Sequence, residues 1–221
     1  MSLILNIDTS TEQASISVAE NGQSVCLLTN SDQKEHSSWL HIAIQQALQI
    51  ISKDIKDLGA IAVTVGPGSY TGLRVGMATA KGLCYALGLP FITVNTLEAM
   101  AAAALGEEVT YICPMIDARR MEVFTALYHK KGNIILPPCA MILEKDHFAV
   151  YLDSGKVLFF GNGSEKYGGL QRHSNAIFKQ LPFSAVNLAG LSHKKYLAGD
   201  FSTLAYTEPL YIKDFHTPGI K

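Results

Sequence analysis

Short apolar runs separated by polar turns open the chain. Runs at 3–8, 14–19 and 24–29 have the length and composition of strands. Asn21-Gly22 stands between the second and third runs, and this dipeptide favours a two-residue hairpin turn. The pattern therefore predicts an antiparallel three-stranded meander at the start of the chain.

The next segment has helical spacing. Between residues 36 and 52, apolar side chains recur every three or four positions, which predicts an amphipathic helix with one face on a core. Trp39, Ile42 and Ile50 lie off that stripe, and a tryptophan on this second side indicates contact with a partner. The predicted stripe consists of Leu40, Ala43, Ile44, Ala47, Leu48 and Ile51.

A predicted strand at 60–65 enters the stretch GPGSYTG, and a helix follows at 71–87 until Gly88 ends it. A strand at 91–94 and an alanine-rich helix at 96–105 complete the first half.

Small side chains recur every four residues in the helix at 71–87, at Gly72, Gly76, Ala80 and Cys84. They form one ridge, where another helix can approach the backbone closely. The ridge packs either inside its own lobe, against the helix that carries Trp39, or against a partner protein. We favour a mixed role that includes the partner.

The second half repeats the order of the first. NIDTSTEQASISVAENG, which begins at Asn6, and MIDARRMEVFTALYHKKG, which begins at Met115, both show a strand, an aspartate, a polar turn, a second strand and a glycine hairpin. A duplicated βββαβα unit is the simplest account, with an N-terminal lobe at 1–102 and a C-terminal lobe at 103–221. Further strands are predicted at 134–143 and 157–160, and further helices at 144–151 and 183–198.

Composition and charge narrow the function classes. Charged residues make up 17% of the chain, below the roughly 25% of soluble domains, so we expect some apolar surface to be covered by a partner. The net charge of −1 gives no overall field to draw the chain onto nucleic acid or an anionic membrane.

The four cysteines have no CxxC spacing and suit reduced thiols. Without a leader or a long apolar window, a soluble cytoplasmic protein is expected.

The glycine-rich stretch is a poor match to known phosphate motifs. A Walker loop ends in Gly-Lys-Ser/Thr, where this chain has Thr71-Gly72-Leu73. The dinucleotide pattern GxGxxG, begun at Gly66, fails at its last position. A structural turn, with Ser69 or Thr71 as the helix cap, fits better.

Two α/β lobes that each begin with an aspartate-bearing hairpin describe the actin, hexokinase and Hsp70 (ASKHA) architecture. Four motifs in this order, NIDTS, GPGSYTGLRVG, DARRMEVF and EPLYIK, resemble those of the TsaB (YeaZ) family across nearly the whole chain. The resemblance implies a non-catalytic subunit that supports TsaD, which forms the threonylcarbamoyl group on N6 of adenosine 37 in tRNAs reading codons that begin with adenine.

The resemblance also implies partners and cofactors. TsaD is expected as a heterodimer partner, the ATPase TsaE as a further subunit, a homodimer when the chain is alone, and tRNA through the complex. ATP or ADP and a divalent metal are expected on the partner subunits, and no cofactor in the isolated chain. The residues assigned to partner binding are His36, Trp39, Ile42, Tyr70, Gly72, Leu73, Gly76, Ala80 and Cys84.

Two polar groups keep alternative interpretations. Asp8 and Ser10 either belong to an anion or interface-nucleotide site, where Asp8 would hold Mg²⁺-bound water as hairpin aspartates do in actin-type ATPases, or Asp8 caps its own turn. Arg119 and Arg120 form ion pairs with Glu122 or Glu12, or bind an anion such as RNA phosphate or a nucleotide at a subunit junction.

Metal and catalytic sites are not expected. The resemblance implies that TsaD holds its metal with an HxxxH pair, and Thr96 and Met100 stand at those positions here. No GxSxG nucleophile motif is present. The alternative function is a stand-alone ATP-dependent phosphotransferase or ATPase, suggested by Asp8 and the glycine turn.

Overall fold

The computed structural model describes residues 2–32 and 36–213, except for the side chain of His36. The chain divides into two compact units. The first contains Met1–Gly106 and Leu181–Pro209, and the second contains Glu107–Gln180 and Leu210–Lys221.

The described residues form ten strands in two five-stranded sheets, together with six α-helices. The strands are β1 Leu3–Asp8, β2 Ala14–Glu20, β3 Gln23–Asn30, β4 Ala60–Gly66, β5 Phe91–Asn95, β6 Tyr111–Asp117, β7 Glu122–His129, β8 Ile134–Ile142, β9 Val157–Phe160 and β10 Ala176–Phe178. The helices are α1 His36–Ile50, α2 Tyr70–Leu87, α3 Thr96–Ala103, α4 Ala149–Ser154, α5 Ser164–Leu170 and α6 Ala189–Ala198.

The two sheets have the same strand order, which confirms the predicted duplication. The first sheet runs β3-β2-β1-β4-β5 and the second runs β8-β7-β6-β9-β10. In each, the first three strands are antiparallel neighbours and the next two add in parallel. The predicted hairpin turn is also confirmed, since Asn21 and Gly22 have φ of 50° and 82°.

Helices cover both faces of the first sheet. Leu3, Leu5 and Ile7 point toward the apolar stripe of α1 and toward α2, because alternate residues of a strand face opposite sides. Ile4 lies on the other face, in a core that includes Ala99 of α3 and a 3-10 helix at Ala185–Leu188. The predicted stripe of α1 is confirmed, since its residues from Leu40 to Leu48 are at most 5% exposed.

The second unit has an aromatic core on one face of its sheet. Phe159 on β9 packs between Phe148, Tyr167 and Phe178, with ring centroids 4.9 to 5.3 Å apart. Neither α5 nor β10 was expected from the sequence. The helix expected at 144–151 is α4, which begins five residues later and ends three residues later than predicted.

The segment 181–209 packs with the first unit, whereas the sequence-based division placed it in the second lobe. Buried hydrogen bonds hold it there. Ser192 on α6 donates to Asn6 Oδ1 at 2.6 Å, and the amide of Ala185 donates to Ser15 Oγ at 2.8 Å. The helix expected at 183–198 is the 3-10 helix followed by α6.

Candidate functional site

The glycine turn between β4 and α2 is fixed by a helix cap. Ser69 Oγ accepts a hydrogen bond from the amide of Gly72 at 3.2 Å, so Ser69, and not Thr71, is the N-cap. Gly88 ends α2 in the left-handed conformation with φ of 65°, as predicted.

Two positions in and after this turn have room only for glycine, because backbone from elsewhere in the chain lies against them. A Cβ at Gly68 would lie 2.2 Å from the carbonyl oxygen of Ser10, and a Cβ at Gly72 would lie 2.0 Å from that of Thr9. Thr9 Oγ1 donates to the carbonyl of Gly72 at 2.7 Å, and the amide of Ser69 donates to the carbonyl of Ser10 at 2.7 Å. Chain from the β1–β2 turn therefore lies at the start of α2, where a cradle would hold phosphate.

Asp8 is buried near the contact between the β1–β2 turn and the start of α2, and it caps its own turn. Its Oδ1 accepts hydrogen bonds from the amide of Ser10 at 3.1 Å, from Ser10 Oγ at 2.6 Å and from Thr64 Oγ1 at 2.8 Å. Thr64 on β4 was not identified from the sequence, because only the parallel pairing of β1 with β4 brings it beside Asp8.

The small-residue ridge of α2 lies on the first unit's own sheet. A Cβ at Gly76 would lie 2.3 Å from Thr9 Oγ1 and 3.4 Å from Val63 Cγ2 on β4. The ridge side chains are enclosed within the unit, which agrees with the alternative that the ridge packs inside its own lobe, and its contact with a partner stays a prediction. The enclosed residues are Gly72, Leu73, Gly76, Ala80 and Cys84, of which Leu73, Ala80 and Cys84 are at most 1% exposed.

The other residues assigned to partner binding differ in accessibility. Ile42 is 56% exposed and Tyr70 is 37% exposed, whereas Trp39 is half-buried against the core of the first unit. The side chain of His36 lies outside the described part of the chain.

The outward faces of α1 and α2 carry very few charges. The 15 residues of α1 include no Asp, Glu, Lys or Arg, and the 18 of α2 include only Arg74 and Lys81. The Arg74 guanidinium lies 4.0 Å from the ring centroid of Tyr70, and Lys81 Nζ donates to the carbonyl of Thr207 at 3.0 Å. The exposed residues of these faces are Ser37, Ser38, His41, Ile42, Gln45, Gln46, Gln49 and Ile50 on α1, and Tyr70, Thr71, Arg74, Ala78, Gly82, Tyr85 and Ala86 on α2.

A groove of about 410 Å³ opens beside α1. Its apolar lining comes from Ile44 and Leu48 of α1, from Leu83 of α2, and from Ile55, which begins a 3-10 helix at Ile55–Asp57. Its polar lining consists of His41, Gln45, Gln49, Lys53 and Asp54.

In the second unit, the turn between β6 and β7 presents two arginines. Arg119 and Arg120 are exposed. Their backbone φ angles are 67° and 50°, a left-handed conformation that residues other than glycine rarely adopt. The expected ion pair with Glu122 is not formed, because Lys213 binds the Glu122 carboxylate. Among the described residues of this unit, neither guanidinium takes part in an ion pair.

A lysine on α5 holds the same turn. Lys166 Nζ donates to Asp117 Oδ1 at 2.7 Å and to the carbonyl of Glu122 at 3.1 Å. Partial burial acts to raise the pKa of Asp117, but the hydrogen bonds from Lys166 and from the Arg119 amide, with the lysine charge, outweigh it and lower that pKa. The sequence analysis missed Lys166. Lys213 belongs to EPLYIK and Glu122 to DARRMEVF, so this ion pair joins the two motifs within the second unit.

The structure also describes the two residues at the positions of the HxxxH pair. Thr96 and Met100, at the positions of the HxxxH pair, are buried. Within residues 2–32 and 36–213, no group of three or more His, Cys, Asp or Glu is placed to hold a metal ion. Nor does this part of the chain contain a helix that is both long and apolar enough to span a bilayer.

Comparisons with known proteins relate most of the chain to proteins of tRNA threonylcarbamoyladenosine biosynthesis. The family model for TsaD, tRNA N6-adenosine threonylcarbamoyltransferase, matches residues 29–151. The tRNA threonylcarbamoyladenosine biosynthesis protein TsaB of Escherichia coli K12 is 29% identical over 96% of this chain and 94% of its own length. The TsaB protein of Bacillus subtilis 168 is 32% identical over 72% of this chain and 70% of its own length.

Solved structures show the same fold. YeaZ from Pseudomonas aeruginosa superposes with a TM-score of 0.81 at 25% identity, covering 96% of this chain and 100% of the other. A dehydratase activator of Clostridium difficile with bound ADPNP has a TM-score of 0.52 at 9% identity, covering 91% of this chain and 98% of its own, which supports the predicted actin-like fold class. The chain belongs to the TsaB (YeaZ) family, whose named members are tRNA threonylcarbamoyladenosine biosynthesis proteins.

Proposed function

We propose that this protein is a non-catalytic subunit that binds TsaD through the outward faces of α1 and α2. In this role it supports TsaD in forming the threonylcarbamoyl group on N6 of adenosine 37. Its relatives are named for tRNA threonylcarbamoyladenosine biosynthesis, which gives the pathway. The scarcity of charged residues on two adjacent exposed helices carries the assignment of the binding face.

Helix faces exposed to water are normally rich in charged residues, whereas the centres of protein interfaces are depleted of them. The faces of α1 and α2 resemble an interface centre. Ile42 and Ile50 are 56% and 64% exposed, and Tyr85 is 85% exposed, so burying them against a partner would remove substantial apolar area from water. The same face serves a homodimer when TsaD is absent, so TsaD would displace the second copy.

The proposal also assigns the other subunits, the cofactors and the two arginines of the second unit. TsaE joins through the complex with TsaD, and tRNA reaches the chain in the cytoplasm as part of that complex. ATP or ADP and the divalent metal belong to the partner subunits. Arg119 and Arg120 bind an anionic group, RNA phosphate or a nucleotide, where the subunits meet.

The alternative of a stand-alone phosphotransferase or ATPase is less well supported. Backbone from the β1–β2 turn lies against Gly68 and Gly72, and Asp8 already accepts three hydrogen bonds at one oxygen. Titration of the isolated chain with Mg²⁺-ATP separates the two functions. Low-micromolar binding that disappears in Asp8→Asn would favour the enzyme.

Mixing the purified chain with TsaD tests the proposal. We expect a complex whose mass equals one copy of each subunit or a multiple of it, and tRNA modification that requires this chain. Two separate species at micromolar concentration, with modification by TsaD unchanged, would contradict it.

A further inference from the structure

Two acidic and two basic residues lie in and beside the turn between β6 and β7. Asp117 and Glu122 flank the turn, and Arg119 and Arg120 lie within it. Left to themselves, two carboxylates beside two guanidiniums would pair and cancel, since arginine binds carboxylate with good geometry. The structure shows a different pairing.

Two lysines from elsewhere in the second unit occupy the carboxylates. Lys166 Nζ lies 2.7 Å from Asp117 Oδ1, and Lys213 Nζ binds Glu122 Oε2. Asp117 is thereby neutralised by a lysine that is only 18% exposed. The cluster then carries four positive and two negative charges, and its excess lies on the two exposed arginines.

The same contacts fix the shape of the turn. Lys166 joins Asp117 at its start to the Glu122 carbonyl at its end, 3.1 Å away. Asp117 Oδ1 also accepts from the Arg119 amide, and the Asp117 amide donates to Asn162 Oδ1 at 2.9 Å. Left-handed backbone at two successive arginines costs free energy, and these contacts offset it.

We propose that Lys166 and Lys213 are positioning residues of an anion-binding turn, because they occupy its carboxylates and leave Arg119 and Arg120 available to a phosphate group. This inference rests on the proposed anion contact of the two arginines and deepens it. Docking on TsaD through α1 and α2 does not depend on it.

The test measures binding of inorganic tripolyphosphate to the isolated full chain by calorimetry at low ionic strength, where charge interactions are least screened. Lys166→Met frees Asp117 to pair with the arginines, so we expect about three- to fivefold weaker binding. Adding Asp117→Asn removes the competing charge but keeps an oxygen for the Arg119 amide, and should restore affinity to within about twofold of the wild type. Lys179→Met, which breaks the Lys179–Glu107 pair of the same unit, is the matched control and should change nothing.

Each other outcome overturns the inference. If Lys166→Met binds like the wild type, or if the double variant stays as weak as Lys166→Met, the lysine does not act by occupying Asp117. If Arg119→Ala with Arg120→Ala leaves tripolyphosphate binding unchanged, or if the wild type does not bind it, the anion site itself is absent. Co-purification with TsaD would be unaffected in that case, which separates this failure from that of the docking proposal.

Discussion

A Cβ atom at Gly72 would lie 2.0 Å from the carbonyl oxygen of Thr9, well inside van der Waals contact. The first turn of α2 and the turn after β1 are thus packed backbone to backbone. Backbone from the turn after β1 therefore fills the space that a phosphate-binding turn would have to leave open.

Gly72→Ala should lower the free energy of unfolding by about 3 kcal/mol or more, because the new methyl group meets backbone that cannot rotate away. Gly82→Ala is the matched control in the same helix, since a Cβ there meets nothing within 4 Å. Alanine is the better helix former, so this control should be stabilised by about 0.5–1 kcal/mol. Urea unfolding followed by circular dichroism measures both. Equal effects would refute the packing account.

Ser192→Ala should destabilise the first unit by roughly 1–3 kcal/mol. Ser192 Oγ donates to Asn6 Oδ1 at 2.6 Å, and both residues are fully buried, so the alanine leaves an acceptor without its donor. Thermal unfolding measures the loss. Ser174→Ala, at an exposed serine, serves as the control, and a Ser192 variant as stable as this control would show that segment 181–209 is held by other contacts.

Alkaline pH should destabilise the protein through Cys113. Burial raises the pKa of its thiol to about 12, despite a hydrogen bond with Thr125. The unfolded chain, with an ordinary thiol pKa near 8.5, loses this proton first, so the stability from the buried thiol is full below about pH 8.5 and falls as the pH rises toward 12. In Cys113→Ala, the decline in unfolding free energy between pH 9 and 10.5 should be shallower by roughly 1 kcal/mol per pH unit. Identical slopes in variant and wild type would contradict this.

Asp117 should titrate below the ordinary aspartate range, since its pKa is lowered in spite of partial burial. Lys166→Met removes both the hydrogen bond and the charge that lower it, so the pKa of Asp117 should rise. Carboxyl-carbon NMR titration measures this directly. In Lys179→Met the Asp117 titration should match the wild type, and a similar rise there would rule out a specific effect of Lys166.

Local signals in the sequence were sufficient to predict the positions of most strands and helices of the first unit. β1 matched its predicted bounds, and α2 began one residue before the predicted position, at Tyr70, because Ser69 is a strong N-cap. The hairpin at Asn21-Gly22 followed from the preference of these residues for positive φ. The repeated strand order of the two sheets was also visible as a repeated sequence pattern.

Features that depend on distant contacts were missed. The sequence showed a ridge of small residues on α2 but not which element packs against it, because small residues at four-residue spacing can pack against a sheet as well as against another helix. α5 contains Gly168 and Gly169, which weaken any helical signal, and β10 has only three residues. Segment 181–209 joins the first unit through Ser192 and Ala185, at separations of 186 and 170 residues, which no local pattern reveals.

The central claim, that TsaD binds the outward faces of α1 and α2, is tested most directly by one pair of variants. Gly82→Glu places a charge in the middle of the α2 face, and Gly190→Glu places the same charge on α6 of the same unit; a Cβ at either glycine has open space around it. We predict that calorimetry will show roughly 30-fold or more weaker binding of TsaD to Gly82→Glu, because the carboxylate would be buried without a partner, and wild-type affinity for Gly190→Glu. Wild-type affinity for Gly82→Glu, or equal losses in both variants, would contradict the account.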